Sequence, residues 1–133
     1  MIKIFLDACI FIYIIEKHPI YADKIEVLMN GINDGIFCFS SLVRLECLVM
    51  PLRTNDIKLQ KLYKTFFDAQ NFLAMPPDVY DRAAQLRADS LGLKTPDALH
   101  IATAQYHSCN ELWTNDSRLD KTAPSLVKNI FTF

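Results

Sequence analysis

Four acidic residues sit where acids are not expected. Asp7 closes "IKIFLD" (2–7), a nearly continuous apolar run of the kind a buried parallel strand needs, and Asp116 follows the short apolar segment "ELWT" (111–114). Asp97 stands at the head of an otherwise apolar helix, "TPDALHIATAQ" (95–105). Glu46 lies inside "SLVRLECLVM" (41–50), where Arg44 is the only other charge. The two are about 200° apart on a helical wheel and cannot share one solvent-facing stripe. A buried carboxylate without a partner costs roughly several kcal/mol, so Glu46 must be paired, protonated or metal-bound.

Each acid has an ordinary reading by itself. Asp97 suits a helix start, with Thr95 as N-cap, Pro96 at the first helical position, and a positive helix end that favours the ionised carboxylate. Asp116 suits a turn, Asp7 can cap the first helix, and Glu46 can lie on an exposed helix surface. Taken jointly, four acids at one rim of a sheet make a set of oxygen ligands. Without His or Cys, such a set favours magnesium or manganese over zinc. A hard cation held there can pin a phosphate, acidify a bound water and stabilise a leaving oxygen.

Other groups offer less. His100 and His107 are seven residues apart, about 10.5 Å along a helix, too far to share a metal. His100 reads as a packing or hydrogen-bonding residue, with a contact to Asp97 three residues earlier as the alternative, and His18 beside Pro19 reads as exposed. Cys9, Cys38, Cys47 and Cys109 form no CxxC pair and suit buried, reduced thiols, Cys9 being an apolar filler rather than a nucleophile. No GxSxG, P-loop or GxGxxG occurs.

The elements that must position these acids follow from periodicity. Strands are expected at 2–7, 36–40, 71–76 and 111–114, with a short last one around "NIFTF" (129–133). Helices are expected over 8–17, 21–34 (ended by Gly35), 41–50 (stopped by Pro51), 55–70, 77–93 and 95–107, with a turn at "NDSRLDK" (115–121). Short strands alternating with helices predict an α/β fold, a three-layer α/β/α sandwich around a short, mostly parallel sheet. In such sheets ligands bind beyond the carboxyl ends of the strands, at a topological switch point.

The chain has 133 residues, 51% of them hydrophobic, which suffices for one packed core and a single domain spanning 1–133. Its formal net charge is −1, so no polybasic nucleic-acid binder is indicated and any phosphate must meet local cations. The apolar N-terminal stretch lacks a basic leader and is broken by Asp7 and Glu16, well short of the roughly 20 residues that span a bilayer. A cytoplasmic protein without a membrane segment is expected.

The segments "FLDACIFIYIIE", "SSLVRLECLVMPLR", "AAQLRADSLGLKTPDALHIATA" and "LWTND" together resemble the PIN domain, specifically the VapC-type toxin ribonucleases of type II toxin–antitoxin pairs. The resemblance runs in family order over essentially the whole chain. It implies that Asp7, Glu46, Asp97 and Asp116 form the catalytic, metal-binding set for magnesium or manganese. Asp7 and Asp97 would coordinate most directly, and Glu46 and Asp116 through water or at a second metal position. Thr114 would orient an acid or a water, and Ser40 or Ser41 would do likewise. The implied activity is endonucleolytic hydrolysis of single-stranded or loop RNA (tRNA, rRNA or mRNA), leaving a 5′-phosphate and a 3′-hydroxyl.

Implied partners are a cognate antitoxin and a second copy of the chain, with the apolar helices at 8–34 and 55–70 as the surfaces. Arg44, Arg53, Arg82, Arg87, Lys94 and Arg118 are available for phosphate. One departure stands out: Ala8-Cys9 follows the first Asp where relatives usually carry a polar pair, which removes or weakens a hydrogen bond behind that acid.

Two rival readings are a non-catalytic PIN-like module binding protein or RNA, and a phosphoryl-transfer domain using Asp7 as nucleophile. The module typically lacks one or more of the acids, and none is missing here. A phosphatase of the second type wants an acid two residues on, where Cys9 stands, and a receiver wants an acid paired before Asp7.

Overall fold

The apolar run at the start of the chain lies at the centre of a parallel sheet. The computed structural model describes residues 1–130 and contains five strands: β1 (Ile2–Leu6), β2 (Gly35–Ser40), β3 (Asn71–Leu73), β4 (Glu111–Thr114) and β5 (Val127–Asn129). Their order is β3-β2-β1-β4-β5, and every pairing is parallel. A central parallel strand is covered on both faces, so β1 needs apolar residues in succession, and Ile4, Phe5 and Leu6 are fully buried.

Seven helices join the strands: α1 (Ala8–Ile15), α2 (Tyr21–Asn30), α3 (Ser41–Arg53), α4 (Ile57–Asp68), α5 (Pro77–Asp89), α6 (Thr95–Tyr106) and the short α7 (Leu119–Thr122). The chain steps outward through β2 and β3, then returns across β1 to β4 and β5. Right-handed crossovers therefore place α1 to α4 on one face and α5 and α6 on the other. The packing agrees, since α1 contacts α2, α3 and α4 while α5 pairs with α6. Three layers result. The direction of travel reverses between β1 and β4, and the carboxyl ends of these two strands carry Asp7 and Thr114.

On the first face Phe11 is the pivot, its ring 6.1 Å from Phe39, 5.5 Å from Phe66 and 5.0 Å from Phe67. On the second face α6 is buried without a break from Ala98 to Ala104. Alanines at 98, 102 and 104 admit close neighbours on more than one side of that helix. No helix among the described residues is long and apolar enough to cross a membrane.

Several element boundaries differ from expectation. Pro51 does not stop α3, which continues to Arg53: proline lacks only its own N–H, and Thr54 N–H still closes on the Met50 carbonyl at 3.0 Å. α2 ends at Asn30 with Gly31 at its C-cap, and Gly35 instead opens β2. α5 ends at Asp89, before Gly92, which takes φ +88° in the following turn. The N-cap of α6 is Lys94 rather than Thr95, and the Thr95 hydroxyl accepts a bond from Arg87 Nη1 at 2.8 Å instead. The expected turn after β4 contains α7, and the last strand falls at Val127–Asn129; residues 131–133 lie outside the described residues. His18 is not simply exposed: its Nδ1 accepts the Ile20 and Tyr21 N–H groups at the start of α2, at 3.1 and 3.2 Å.

Candidate metal centre

Asp7 is where β1 becomes α1. Its N–H still donates to the Trp113 carbonyl at 3.1 Å, while its Oδ1 caps α1 by accepting from Ala8 N–H at 2.6 Å. The other oxygen, Oδ2, accepts from the Thr114 hydroxyl at 2.8 Å. Thr114 is fully buried at the end of β4, and its Oγ1 also accepts Asp116 N–H at 3.2 Å. One hydroxyl thus fixes the first acid and the backbone of the last.

This bond answers the departure at Ala8-Cys9. Support for Asp7 comes from across the sheet rather than from the following residues. The Cys9 thiol lies against the Thr114 side chain and the Asn115 backbone; burial, and then the charge of Asp7, push its pKa far up. It stays a protonated filler, as expected.

Glu46 finds its partner on the opposite layer. Its Oε1 is 2.7 Å from Nε2 of His100, and that nitrogen is 3.6 Å from Asp7 Oδ1. His100 is 1% exposed, and its Nδ1 has no hydrogen-bond partner among the described residues. In the neutral imidazole the proton therefore sits on Nε2, facing Glu46. Burial opposes a second proton, yet the bond to Glu46 and the charges of Asp7 and Asp97 outweigh it and hold His100 above the usual histidine range.

Asp97 occupies the first turn of α6, one turn before His100. Other influences oppose the positive helix end there. Burial, followed by the negative charges of Asp116 and Asp7, raises its pKa above the ordinary carboxylate value. Asp116 goes the other way, because Arg118 grips it: Nε lies 2.9 Å from Oδ1 and Nη2 2.6 Å from Oδ2.

The four acids predicted from sequence thus meet at one rim, in unequal positions. Asp7, Glu46 and His100 each bring a side-chain oxygen or nitrogen to within 4.8 Å of one another, the two carboxylates as candidate ligands and the imidazole as the donor that braces Glu46. Asp97 and Asp116 stand outside that tight group, and Asp97 feels Asp116, Asp7 and His100 through charge. Two carboxylates beside an imidazole, with a third carboxylate raised in pKa by burial and then by the charges of Asp116 and Asp7, fit a divalent cation, since a positive ion offsets the gathered negative charge. His100 is the residue that sequence reasoning undervalued. Its signal was a histidine within a run of buried positions, but its partner is 54 residues away and not Asp97.

The remaining candidates separate clearly. Ser40 is buried, its hydroxyl accepting Val43 N–H at 3.3 Å as the α3 cap, and Ser41 is exposed. Asn115 donates from its side chain to the Tyr13 hydroxyl. Arg44 lies over the Phe67 ring, Arg53 reaches Met50 Sδ, Arg82 bonds Gln105, and Arg87 bonds the Leu93 carbonyl and Thr95. Only Arg118 and Lys94 act on the acids themselves, both lowering the pKa of Asp116.

A model of the PIN domain family matches residues 4–124 of the chain. No curated protein sequence matches it. Among solved structures it is similar to VapBC2 from Rickettsia felis bound to a promoter DNA fragment (TM-score 0.78, 19% identity, covering 96% of this chain and 98% of that one). It is also similar to a toxin–antitoxin complex from Klebsiella pneumoniae (0.76, 21%, 95% and 96%). A third is a sarcin–ricin loop cleaving toxin from Mycobacterium tuberculosis (0.74, 13%, 90% and 95%). At these identities the likeness is one of fold.

Proposed function

Because the chain belongs to the PIN domain family, we propose that it is a magnesium- or manganese-dependent endoribonuclease and the toxin of a type II toxin–antitoxin pair. The observation that carries the reading is the convergence of Asp7, Glu46 and His100 within 4.8 Å, with Asp97 and Asp116 on the same rim. The structural neighbours include toxin–antitoxin complexes, which supports an antitoxin partner.

In this reading Asp7 and Glu46 hold the ion, Asp97 completes the set, and Asp116 ligates through water or at a second position. A divalent ion bound there supplies an acidified water and charge to offset the leaving oxygen of a phosphodiester. Thr114 keeps Asp7 turned toward the rim. His100 holds Glu46 by donating from Nε2, and the burial of the imidazole fixes the donor in place. Cytoplasmic action follows from the substrate. For partner contacts, the large apolar side chains left exposed include Leu45, Val49, Met50 and Leu52 on α3, Ile57 and Leu62 on α4, and Val27 on α2. α3 thus adds exposed apolar side chains to those of the helices at 8–34 and 55–70.

The test is purified protein incubated with cellular RNA, with product ends mapped by 5′-phosphate-dependent ligation. Cleavage is expected with magnesium or manganese and lost in Asp7→Asn and Asp97→Asn proteins that remain folded. Undiminished cleavage in chelator would remove the metal reading. Growth arrest on expression, relieved by the neighbouring small open reading frame, tests the toxin role; harmless expression of an RNA-cleaving protein defeats it.

A further inference from the structure

Beside the acids, the turn joining α5 to α6 and the short helix α7 enclose a cavity of about 330 Å3. Asp97 lines it, and so do Leu91, Leu93, Arg118 and Lys121. Its size is at the low end of ligand-binding cavities, which run about 300–1,000 Å3.

Three features make it more than a surface dent. Leu91 is fully exposed, although it sits in a turn rather than on an interface helix, so an apolar wall faces water beside a charged floor. The turn is also held in shape: Arg87 donates from Nε to the Leu93 carbonyl at 2.8 Å and from Nη1 to Thr95 Oγ1 at 2.8 Å. Finally, the cations of the acidic rim gather on this side. Arg118 and Lys121 line the cavity, Arg118 keeps its side chain 68% exposed while paired with Asp116, and Lys94 is near enough to lower the pKa of Asp116. In a chain of net charge −1 this is a local basic lip against an apolar wall.

Resting on the ribonuclease reading above, we propose that this cavity seats one nucleotide of single-stranded RNA next to the scissile phosphate, its base against Leu91 and Leu93 and its phosphate facing Arg118 and Lys121. An unpaired nucleotide is required, because a base stacked within a duplex cannot turn its face to a side-chain wall. A preformed turn means that the protein loses little conformational freedom when the nucleotide enters. The cavity adjoins the acids through Asp97, so a nucleotide held there places its neighbouring phosphodiester at the metal centre.

The test uses full-length protein in calcium, with a fluorescent single-stranded RNA of mixed sequence and a duplex of the same strand as probes. Leu91→Asp and Lys121→Glu are the variants, both away from the acids. Each is expected to weaken single-strand binding tenfold or more, and Lys121→Glu to lower the slope of log affinity against log salt by about one. Manganese affinity, measured by calorimetry, stays at the wild-type value. RNA carrying 4-thiouridine is expected to crosslink within 90–93 or 118–122. Wild-type affinity in both variants, or crosslinks only elsewhere, overturns the subsite while leaving the nuclease standing. Equal affinity for the duplex also overturns it. No RNA binding by the wild-type protein, together with no metal-dependent cleavage, overturns the nuclease reading and the subsite with it.

Discussion

Replacing Thr114 by valine removes one oxygen atom from the centre of the candidate site and keeps the side chain's shape. The lost bond, Thr114 Oγ1–H to Asp7 Oδ2 at 2.8 Å, is made to a carboxylate and is fully buried on the threonine side. Hydrogen bonds to charged groups contribute about 1.5–3 kcal/mol. Asp116 N–H loses its acceptor too, but it sits at a half-buried position where water can replace the hydroxyl. For a domain of this size, at about 4 °C per kcal/mol, the melting temperature should fall by roughly 6–12 °C. Freeing Asp7 should also weaken metal binding by about 10–100-fold, the usual effect of losing a group that orients a ligand. Calorimetric titration with manganese and a thermal melt on the same sample read both quantities. Thr114→Ser keeps the hydroxyl and is expected to restore metal affinity, though not all of the stability, because a buried methyl is gone. Unchanged manganese binding in Thr114→Val, or a Thr114→Ser protein as impaired as Thr114→Val, would refute the argument that the hydroxyl orients Asp7.

Other outcomes can be checked alongside. Asp97 has a raised pKa in the metal-free fold, so its contribution to stability is present below the ordinary carboxylate range and is lost as pH rises through the raised value. Metal-free Asp97→Asn should therefore melt above wild type at neutral pH and lose that advantage near pH 4, as melts across a pH series would reveal. Adding manganese at about 100 times its dissociation constant should stabilise the wild type by roughly 2.7 kcal/mol, with little gain in Asp7→Asn. Phe11→Ala empties the aromatic cluster joining α1, β2 and α4 and should destabilise the fold by about 3–5 kcal/mol in denaturant titration, without altering the arrangement of acids in whatever fraction stays folded.

Much of the fold was legible because a parallel sheet imposes simple demands on sequence. A continuous apolar run ending in Asp7, and "ELWT" ending just before Asp116, could only be strands whose carboxyl ends face one rim. What was not legible depended on partners distant in sequence. The sequence shows that a buried Glu46 needs a partner, but nothing local names His100, which arrives from the opposite layer. The upward shift of Asp97 is not legible because the helix end is a local feature, whereas burial and the charges of Asp116 and Asp7 reach it only through the tertiary fold. Boundaries slipped where one residue has two uses. Pro51 both lacks a donor and fits a helical backbone, and Thr95 has a hydroxyl that Arg87 engages before it can cap α6.

The strand order also has a consequence in time. β1 precedes the other described strands in the chain, yet it is central, and the hydroxyl that fixes Asp7 comes from a residue 107 positions later. At about 5–20 residues per second, roughly 5–20 s of translation separate the two. During that interval a growing chain carries Asp7 without the hydroxyl that fixes it and without Asp116, so the rim of acids is completed only late in synthesis.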